Sequence, residues 1–335
     1  MNLYVRPLVQ MGRARPADAL PLAGGWSWFS HVEVLERGRP PTMVPARDLS
    51  DAIAHRLTAP RPDVAGLSMD IPRLMGILNV TPDSFSDGGR YLDPGAAIVQ
   101  ARAMAAADIL DIGGESTRPG AVTVPEAEEI ARTAPVISAI RSEWPGPISI
   151  DTRKAAVAQA ALDAGADVIN DVAALTYDAA MAGLCAESGA PVCLMHAQGD
   201  PETMQDAPHY DDVLLDVYDW LEARVRAAEA AGIPRERIVV DPGIGFGKTV
   251  QHNLALLSGL SLFHGLGCPL LLGASRKRFI GTLGGAEMAT ERMPGSVAVA
   301  LAGIAQGVQI VRVHDIVETR QAVTLWRAAT TGESA

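Results

Sequence analysis

Several features that would place a protein in a particular class are scarce in this sequence. Only three cysteines occur among 335 residues, an odd number without metal-ligand spacing, which argues against a disulfide framework and a zinc site. Basic residues are outnumbered by acidic ones, 28 to 39, and the net charge of −11 argues against nucleic acid or an anionic membrane as a partner. No apolar run is long enough to cross a bilayer, and residues 1–10 lack the apolar centre of a signal peptide. A cytoplasmic globular protein is therefore predicted.

Apolar sequence is plentiful, at 48% of all residues, which is enough for a large core. Residues 1–70 stand apart from the rest because they hold 8 of the 23 prolines and are nearly neutral, with 8 Arg against 7 Asp and Glu. Trp26, Trp28 and Phe29 lie close together there, which indicates packing against a larger body. We expect these residues to form an N-terminal extension that covers one end of the main domain.

Beyond residue 70, short apolar runs alternate with alanine-rich stretches long enough for helices. Near-continuous apolar runs indicate strands buried on both faces, which is typical of a parallel sheet. We predict strands at 74–80, 109–113, 148–151, 168–171, 192–196, 238–241, 270–273 and 309–313. We predict helices that include 94–107, 125–143, 154–164, 210–231 and 315–328. Eight strand–helix units in roughly 260 residues match a (β/α)8 TIM barrel. An α/β fold with this barrel at 71–330 and a tail at 331–335 is therefore favoured over an open doubly wound sheet.

Nearly every predicted strand ends at a polar residue. In a parallel barrel the reactive side chains come from the carboxyl ends of the strands. One aspartate at such a place is most often the cap of the next helix, whereas a whole set would meet at a common mouth. The set comprises Asn79, Asp111, Asp151, Asn170, Asp171, His196, Asp241, Ser275, Arg312 and His314. It combines carboxylates and amides for a polar heterocycle with cations for an anion, and we expect the two kinds to be held apart, because they would otherwise neutralise each other.

Three stretches invite an anion-binding interpretation. Residues 241–249 (DPGIGFGKT) do not form a phosphate-binding P-loop, because Pro242 occupies the place of its first glycine, and their glycines suit a loop that approaches a flat ligand. Residues 275–278 (SRKR) follow an apolar strand, and Arg312 and His314 share one face of the last strand. Either of these cation clusters alone could be a solvated charge run or an ion pair, but their place on the last two strands favours a phosphate site.

Together these segments resemble dihydropteroate synthase. The most specific are residues 76–89 (GILNVTPDSFSDGG) and 111–120 (DIGGESTRPG). The others follow in the family's order, at 149–152, 169–172, 194–196, 241–248, 273–277 and 312–315. The resemblance covers about residues 73 to 326, and residues 1–70 have no counterpart in it.

The resemblance implies a transferase of folate biosynthesis that condenses (7,8-dihydropterin-6-yl)methyl diphosphate with 4-aminobenzoate to 7,8-dihydropteroate and pyrophosphate. It also implies Mg²⁺, a homodimer, and sensitivity to sulfonamides as mimics of 4-aminobenzoate. By position it implies catalytic roles for Lys277, Arg312, His314 and Arg118. It implies pterin contacts from Asp151, Asn170, Met195, Asp241, Gly245 and Lys277. It implies diphosphate contacts from Thr117, Arg118, Arg312, His314 and Asn79, the last being nearest Mg²⁺. It implies 4-aminobenzoate contacts from Thr117, Pro119, Phe246, Ser275 and Lys277.

The chemistry of these substrates favours loss of pyrophosphate before the amine attacks. The carbon left by C–O cleavage is conjugated with an electron-rich pterin, and an arylamine is nucleophilic without a strong general base. Residues 83–90 and 116–122 carry the glycine and proline expected of covering loops. Arg278 stands where many relatives have serine, so the group that holds the 4-aminobenzoate carboxylate is left open, and His196 either orients a loop or holds substrate. The rival functions are a pterin-binding methyltransferase that acts with a corrinoid protein and a non-catalytic pterin-binding paralogue.

Overall fold

The computed structural model describes residues 3–81, 94–116, 121–199 and 203–332. Its first elements are short antiparallel strands and one helix. The strands are β1 (Tyr4–Pro7), β2 (Leu20–Pro21), β3 (Trp28–Phe29), β4 (His31–Leu35) and β5 (Thr42–Pro45), and the helix is α1 (Asp51–Thr58). Strand β4 lies between β1 and β5 in one sheet, while β2 pairs with β3 in a second.

Eight parallel strands form the centre of the protein. They are β6 (Arg73–Asn79), β7 (Ile109–Gly113), β8 (Ile148–Asp151), β9 (Val168–Asp171), β10 (Val192–Met195), β11 (Ile238–Asp241), β12 (Leu271–Leu272) and β13 (Ile310–Val313). Their hydrogen-bonded order is β11-β10-β9-β8-β7-β6-β13-β12, and a parallel bridge between Val240 and Leu270 joins the two outer strands. This nearly closed barrel confirms the predicted fold class, and the alternative of an open doubly wound sheet is wrong.

Helices surround the barrel and connect its strands. They are α2 (Pro94–Ala103), α3 (Glu126–Arg141), α4 (Ala155–Asp163), α5 (Met181–Ser188), α6 (Val213–Ala230), α7 (Val250–Ser258), α8 (Arg278–Gly284), α9 (Met293–Ala305) and α10 (Ile316–Thr331). Helix α6 begins after Asp212, whose carboxylate accepts hydrogen bonds from two backbone N–H groups of the first turn. Its buried residues Val217, Leu221 and Val225 recur every four residues, as the apolar spacing predicts. In the described ranges, no helix is both long and apolar enough to cross a membrane.

Residues 3–70 are fastened to the barrel by polar and apolar contacts. Arg37 donates to the carboxylates of Asp216 and Asp219 on α6, at 2.6 and 2.7 Å. Val64 and Met69 are buried against residues at the amino-terminal ends of the barrel strands. The segment before β6 thus contributes to the core at the end of the barrel opposite to the strand carboxyl ends. The division into extension and barrel at residue 70 stays a prediction.

Candidate active site

Arg312 lies at the centre of the mouth formed by the strand carboxyl ends. Its Nε donates to Oδ2 of Asp111 at 2.5 Å, and one terminal nitrogen donates to Oδ2 of Asp151 at 2.7 Å. The Asp111 side chain is fully buried and that of Asp151 is 6% exposed. The expectation that cations and carboxylates are held apart is therefore wrong for Arg312. Its long side chain reaches from β13 across the barrel interior to β7 and β8, where two buried carboxylates need a counter-charge.

Asp151 ends β8 with one oxygen committed and one available. Its Oδ2 accepts from Arg312, whereas Oδ1 is buried without a hydrogen-bond partner among the described residues. Burial raises the pKa of Asp151 to about 7, opposed by the charge of Arg312 and reinforced by that of Asp111. A buried acceptor of this kind is costly unless a donor reaches it. Asp151 is thus prepared for a ligand with an N–H group.

Asp111 is a site residue that the resemblance did not assign. It lies in the middle of β7, and its carboxylate oxygens are 3.3 and 3.4 Å from Nδ2 of Asn170 on β9. Asp111 therefore orients both Asn170 and Arg312. The signal in the sequence is an acidic residue inside an otherwise apolar strand, which in a barrel points inward when its neighbours point outward.

Asp241 ends β11 on the same mouth as Arg312. Its Oδ1 accepts the N–H of Gly243 at 2.7 Å, and burial raises its pKa, partly offset by Lys277. A Cβ built on Gly273 would lie 3.5 Å from Oδ2 of Asp241 and 3.9 Å from Cδ of Arg312. The two side chains therefore approach each other closely enough to contact one substrate. Met195 is paired with Asp241 in register at the end of the neighbouring strand and is buried.

Lys277 reaches back from the β12–α8 connection to the loop after β11. Its Nζ donates to the carbonyl of Ile244 and lies 4.5 Å from the ring centroid of Phe246. Burial lowers its pKa to about 8, although Asp241 acts in the opposite direction. Gly245 has φ +86°, and a Cβ there would lie 3.0 Å from Cδ of Lys277. The glycine allows the loop backbone to pass directly against the lysine.

Ser275 and His314 are joined across the last two strands. The serine Oγ lies 3.0 Å from the ring nitrogen Nδ1 of His314. The same Oγ accepts a hydrogen bond from the backbone N–H of His314 at 3.2 Å. The two arginines of residues 275–278 have different surroundings. Arg276 donates to the carboxylate of Asp315, and Arg278 is exposed at the start of α8. An ion pair is therefore the role of Arg276, and only Ser275 and Lys277 face the buried part of the mouth.

His196 contacts the loop after β11. Of the two roles left open for it, this contact favours orienting a loop over holding substrate. Its Nδ1 lies 2.8 Å from Nζ of Lys248, and that amine also donates to the carbonyl of Phe246 at 2.9 Å. Trp220 packs edge-on against the imidazole, with the ring centroids 4.8 Å apart. Burial lowers the pKa of His196 to about 2, so the ring is neutral and accepts from the lysine. His196 orients the loop.

Oδ1 of Asn79 is the protein oxygen that the resemblance places nearest Mg²⁺. Asn79 ends β6. A Cβ built on Gly113 would lie 3.7 Å from Oδ1 of Asn79 and 3.7 Å from Oδ2 of Asp151. Within the described ranges, no group of three His, Cys, Asp or Glu side chains could hold a metal ion. A lone amide oxygen fits Mg²⁺, because this ion retains water and takes oxygen ligands from bound phosphates.

Three of the implied site residues and one predicted loop lie outside the described residues. They are Thr117, Arg118, Pro119 and the loop at 83–90. The loop at 116–122 is described at Ser116, Ala121 and Val122 only.

Comparisons with known proteins agree with this geometry. The family model described as pterin binding enzyme matches residues 75–314. Dihydropteroate synthase of Escherichia coli (strain K12) is 46% identical over 267 residues, which are 78% of this chain and 94% of that protein. The solved Xanthomonas albilineans dihydropteroate synthase with 4-aminobenzoic acid is 48% identical with a TM-score of 0.76, covering 81% of this chain and 98% of that one. A Yersinia pestis dihydropteroate synthase in a sulfonamide drug complex is 44% identical with a TM-score of 0.75, covering 80% and 98%.

The match includes nearly the full length of each relative, and it leaves out most of residues 1–70 of this chain. The site residues Asp151, Asn170, Asp241, Lys277 and Arg312 all lie within the matched family region. The chain therefore belongs to the dihydropteroate synthase family, and its activity is the dihydropteroate synthase reaction of folate biosynthesis.

Proposed function

We propose that the mouth of the barrel binds the dihydropterin of (7,8-dihydropterin-6-yl)methyl diphosphate through Asp151, Asn170 and Asp241. The observation that carries this proposal is the buried Oδ1 of Asp151, which has no hydrogen-bond partner in the described part of the chain. The amino group and ring N–H of a pterin are donors that pair with carboxylates, while the amide of Asn170 can match an edge with both donors and acceptors. Lys277 and Met195 would line the same pocket, with the backbone of Gly245 against the ring.

The diphosphate is assigned to Arg312 and His314, together with Thr117 and Arg118 from the sequence. Arg312 has five N–H donors and uses two of them on Asp111 and Asp151 within the described part of the chain. It can therefore hold phosphate oxygens while it still neutralises the carboxylates. The site would hold Mg²⁺ through Oδ1 of Asn79, and the bound ion would neutralise negative charge on the diphosphate.

The 4-aminobenzoate is assigned to Phe246, Ser275 and Lys277, with Thr117 and Pro119 from the sequence. Phe246 supplies an aromatic face beside the Lys277 cation, and Ser275 supplies a hydroxyl already held by His314. The Xanthomonas relative has been solved with 4-aminobenzoic acid and the Yersinia relative with a sulfonamide. We therefore propose that sulfonamides compete for the same pocket here.

The reaction is proposed to begin with cleavage of the C–O bond to the diphosphate. Arg312 and His314 stabilise the departing pyrophosphate, while the carboxylates of Asp151 and Asp241 favour the cation that develops on the pterin. The neutral arylamine then attacks the methylene carbon and loses its proton to water. A pterin-binding methyltransferase has no use for cations at the diphosphate position, and the complete set of matching residues argues against a non-catalytic paralogue.

Exchange of Asp241 for asparagine is expected to weaken binding of the pterin substrate by ~2–4 kcal/mol, because a ligand donor would be left buried without an acceptor. Isothermal titration calorimetry with the pterin diphosphate and Mg²⁺ measures the change. Asp219→Asn, which alters a carboxylate on α6 that is bonded to Tyr4 and Arg37, is the control. Equal affinities of Asp241→Asn and the control would contradict the pterin assignment.

Cleavage before attack predicts that the C–O bond breaks without 4-aminobenzoate. With ¹⁸O in the ester oxygen that joins the methylene carbon to the α-phosphorus, reversible cleavage of the C–O bond moves the label to non-bridging positions of recovered substrate, which phosphorus NMR resolves. A sample without enzyme sets the background. Label movement that strictly requires the amine would establish direct displacement instead.

We further propose that the enzyme is a homodimer joined through α9. No charged residue occurs in Met293–Ala305, and Pro294, Ala298 and Ala302 are exposed at a spacing of four residues. An uncharged helix with an exposed apolar face is stabilised by an apolar partner, and a second copy of the chain would provide one.

A further inference from the structure

Phe246 lies between two glycines in the loop after β11. Gly245 and Gly247 have φ values of +86° and +60°, in the left-handed region that other residues rarely adopt. Because glycine allows many other backbone conformations, the loop sequence alone does not determine where the Phe246 ring lies. The centroid of this ring is nevertheless held 4.5 Å from Nζ of Lys277, in the pocket that the proposed function assigns to 4-aminobenzoate. Contacts with other side chains therefore fix the loop backbone.

Three side chains hold three consecutive carbonyl groups of this loop. The carbonyls of residues 245–247 accept hydrogen bonds, in chain order, from Gln205 at 2.6 Å, from Lys248 at 2.9 Å and from Tyr210 at 2.8 Å. Two of these donors, Gln205 and Tyr210, belong to the β10–α6 connection. The backbone that carries Phe246 is therefore held from outside the loop, on both sides of this residue.

The three donors differ in what else they affect. Gln205 bonds to the carbonyl of residue 245, which the proposed function places against the pterin. A charge on the buried amine of Lys248 lowers the pKa of Asp241, so removal of that amine would also alter the pterin pocket. Tyr210 is neutral, and its hydroxyl bonds to the carbonyl directly after Phe246. Its hydroxyl is therefore the donor whose removal acts on Phe246 and spares the pterin pocket.

The backbone on both sides of Tyr210 is fixed by side-chain hydrogen bonds. Before it, the amide of Gln198 bonds to the N–H and to the carbonyl of His209, at 3.2 and 3.0 Å. After it, Oδ2 of Asp216 accepts the next two backbone N–H groups at 3.0 and 3.1 Å. The phenol ring packs edge-on against the imidazole of His252 on α7, with the ring centroids 4.9 Å apart. The hydroxyl is thus presented to the loop after β11 from a preorganised position.

We propose that Tyr210 is a positioning residue for 4-aminobenzoate, which it influences by holding the carbonyl of Gly247 and thereby the ring of Phe246. The inference rests on the proposed function, which assigns Phe246 to this substrate. The pterin contacts stay in place without the hydroxyl, because the N–H of Gly245 donates to Oδ1 of Asn253 at 2.7 Å, a bond that involves no atom of Tyr210. The role of Tyr210 is therefore specific to the second substrate.

The test is Tyr210→Phe in the full chain, which removes the hydroxyl and keeps the ring. Steady-state kinetics with each substrate varied against saturating concentrations of the other gives two KM values and kcat. We expect the KM for 4-aminobenzoate to rise by about three- to tenfold, as for the loss of one neutral hydrogen bond, and the KM for the pterin diphosphate and kcat to change by less than about twofold. Tyr4→Phe is the matched control, because it removes a hydroxyl bond of the same length, 2.8 Å, to Asp219 on α6, and it should change neither KM.

A double-mutant cycle with Phe246→Ala tests whether Tyr210 acts through Phe246. We expect Tyr210→Phe to raise the KM for 4-aminobenzoate by less than about twofold when residue 246 is already alanine. An equal rise in both backgrounds, equal changes in both KM values of Tyr210→Phe, or an unchanged KM for 4-aminobenzoate with a lower Tm or with loss of folding would overturn the inference. An unchanged KM for 4-aminobenzoate in Phe246→Ala alone would instead overturn the assignment of Phe246 in the proposed function, and this inference with it.

Discussion

Replacing Arg312 by methionine is expected to lower kcat/KM by about 10³-fold or more, because the variant loses the cation proposed to stabilise the leaving group and disturbs the carboxylates proposed to bind the pterin. It is also expected to lower the free energy of unfolding by ~3 kcal/mol, because two buried carboxylates lose their shared counter-charge. Asp111 and Asp151 both bond to this one guanidinium, at 2.5 and 2.7 Å. Single-turnover assays and urea unfolding measure the two effects.

The stability loss should depend on pH in a direction set by Asp151. Burial already raises its pKa to about 7 with Arg312 present, and without the cation the pKa rises further. A carboxyl whose pKa is higher in the folded state stabilises the fold at low pH and destabilises it as the pH rises through that value. The difference between variant and wild type should therefore be smaller at pH 6 and grow above about pH 7.

Arg320→Met is the control for the Arg312 experiment. Arg320 bonds to Asp108, before β7 at the other end of the barrel, and its side chain is 31% exposed. A partly exposed pair of this kind contributes about 1 kcal/mol or less, so we expect near-normal stability and turnover. A stability deficit of Arg312→Met that is the same at pH 6 and pH 9 would show that Asp151 does not depend on the guanidinium.

The strands of the barrel could be predicted from the sequence because burial on both faces requires a nearly continuous apolar run, whose limits can be read from the residue types. For β8, β9 and β11 the apolar run closes with an aspartate, Asp151, Asp171 or Asp241, and the strand ends at that residue. The prediction is weaker at β12, which has two residues in place of the four expected. There Leu270 forms an isolated parallel bridge with Val240, and Gly273 lies beyond the paired residues of the strand.

The residues of the mouth could also be named from the sequence, but their pairing could not. Arg312 is separated from Asp111 by 201 residues and from Asp151 by 161, so the ion pair exists only because the barrel closes. Reasoning on each strand alone suggested that opposite charges stay apart. It omitted the packing constraint that three charged side chains at one narrow mouth must satisfy one another before a ligand enters.

A substitution in the loop after β11 is expected to have the second large effect on stability and turnover. Gly243→Ala is expected to destabilise the protein by more than ~4 kcal/mol and to abolish turnover, because steric conflict and strain act at one backbone position. Gly243 has φ +66°, and a Cβ there would lie 1.8 Å from the carbonyl oxygen of His196. That oxygen belongs to a residue fixed by Lys248 and Trp220, so it cannot retreat.

The same substitution acts on the proposed pterin pocket through one hydrogen bond. The N–H of Gly243 donates to Oδ1 of Asp241, so any shift of the loop moves the donor that orients this carboxylate. Gly183→Ala is the matched control: this glycine lies inside α5 with nothing within 4 Å of the added carbon, and alanine should stabilise the helix by ~0.5–1 kcal/mol. Thermal unfolding and turnover of both variants, measured together, separate the site-specific effect from a general cost of alanine. Normal activity in Gly243→Ala would mean that the close approach to His196 is not needed to hold Asp241 against the pterin.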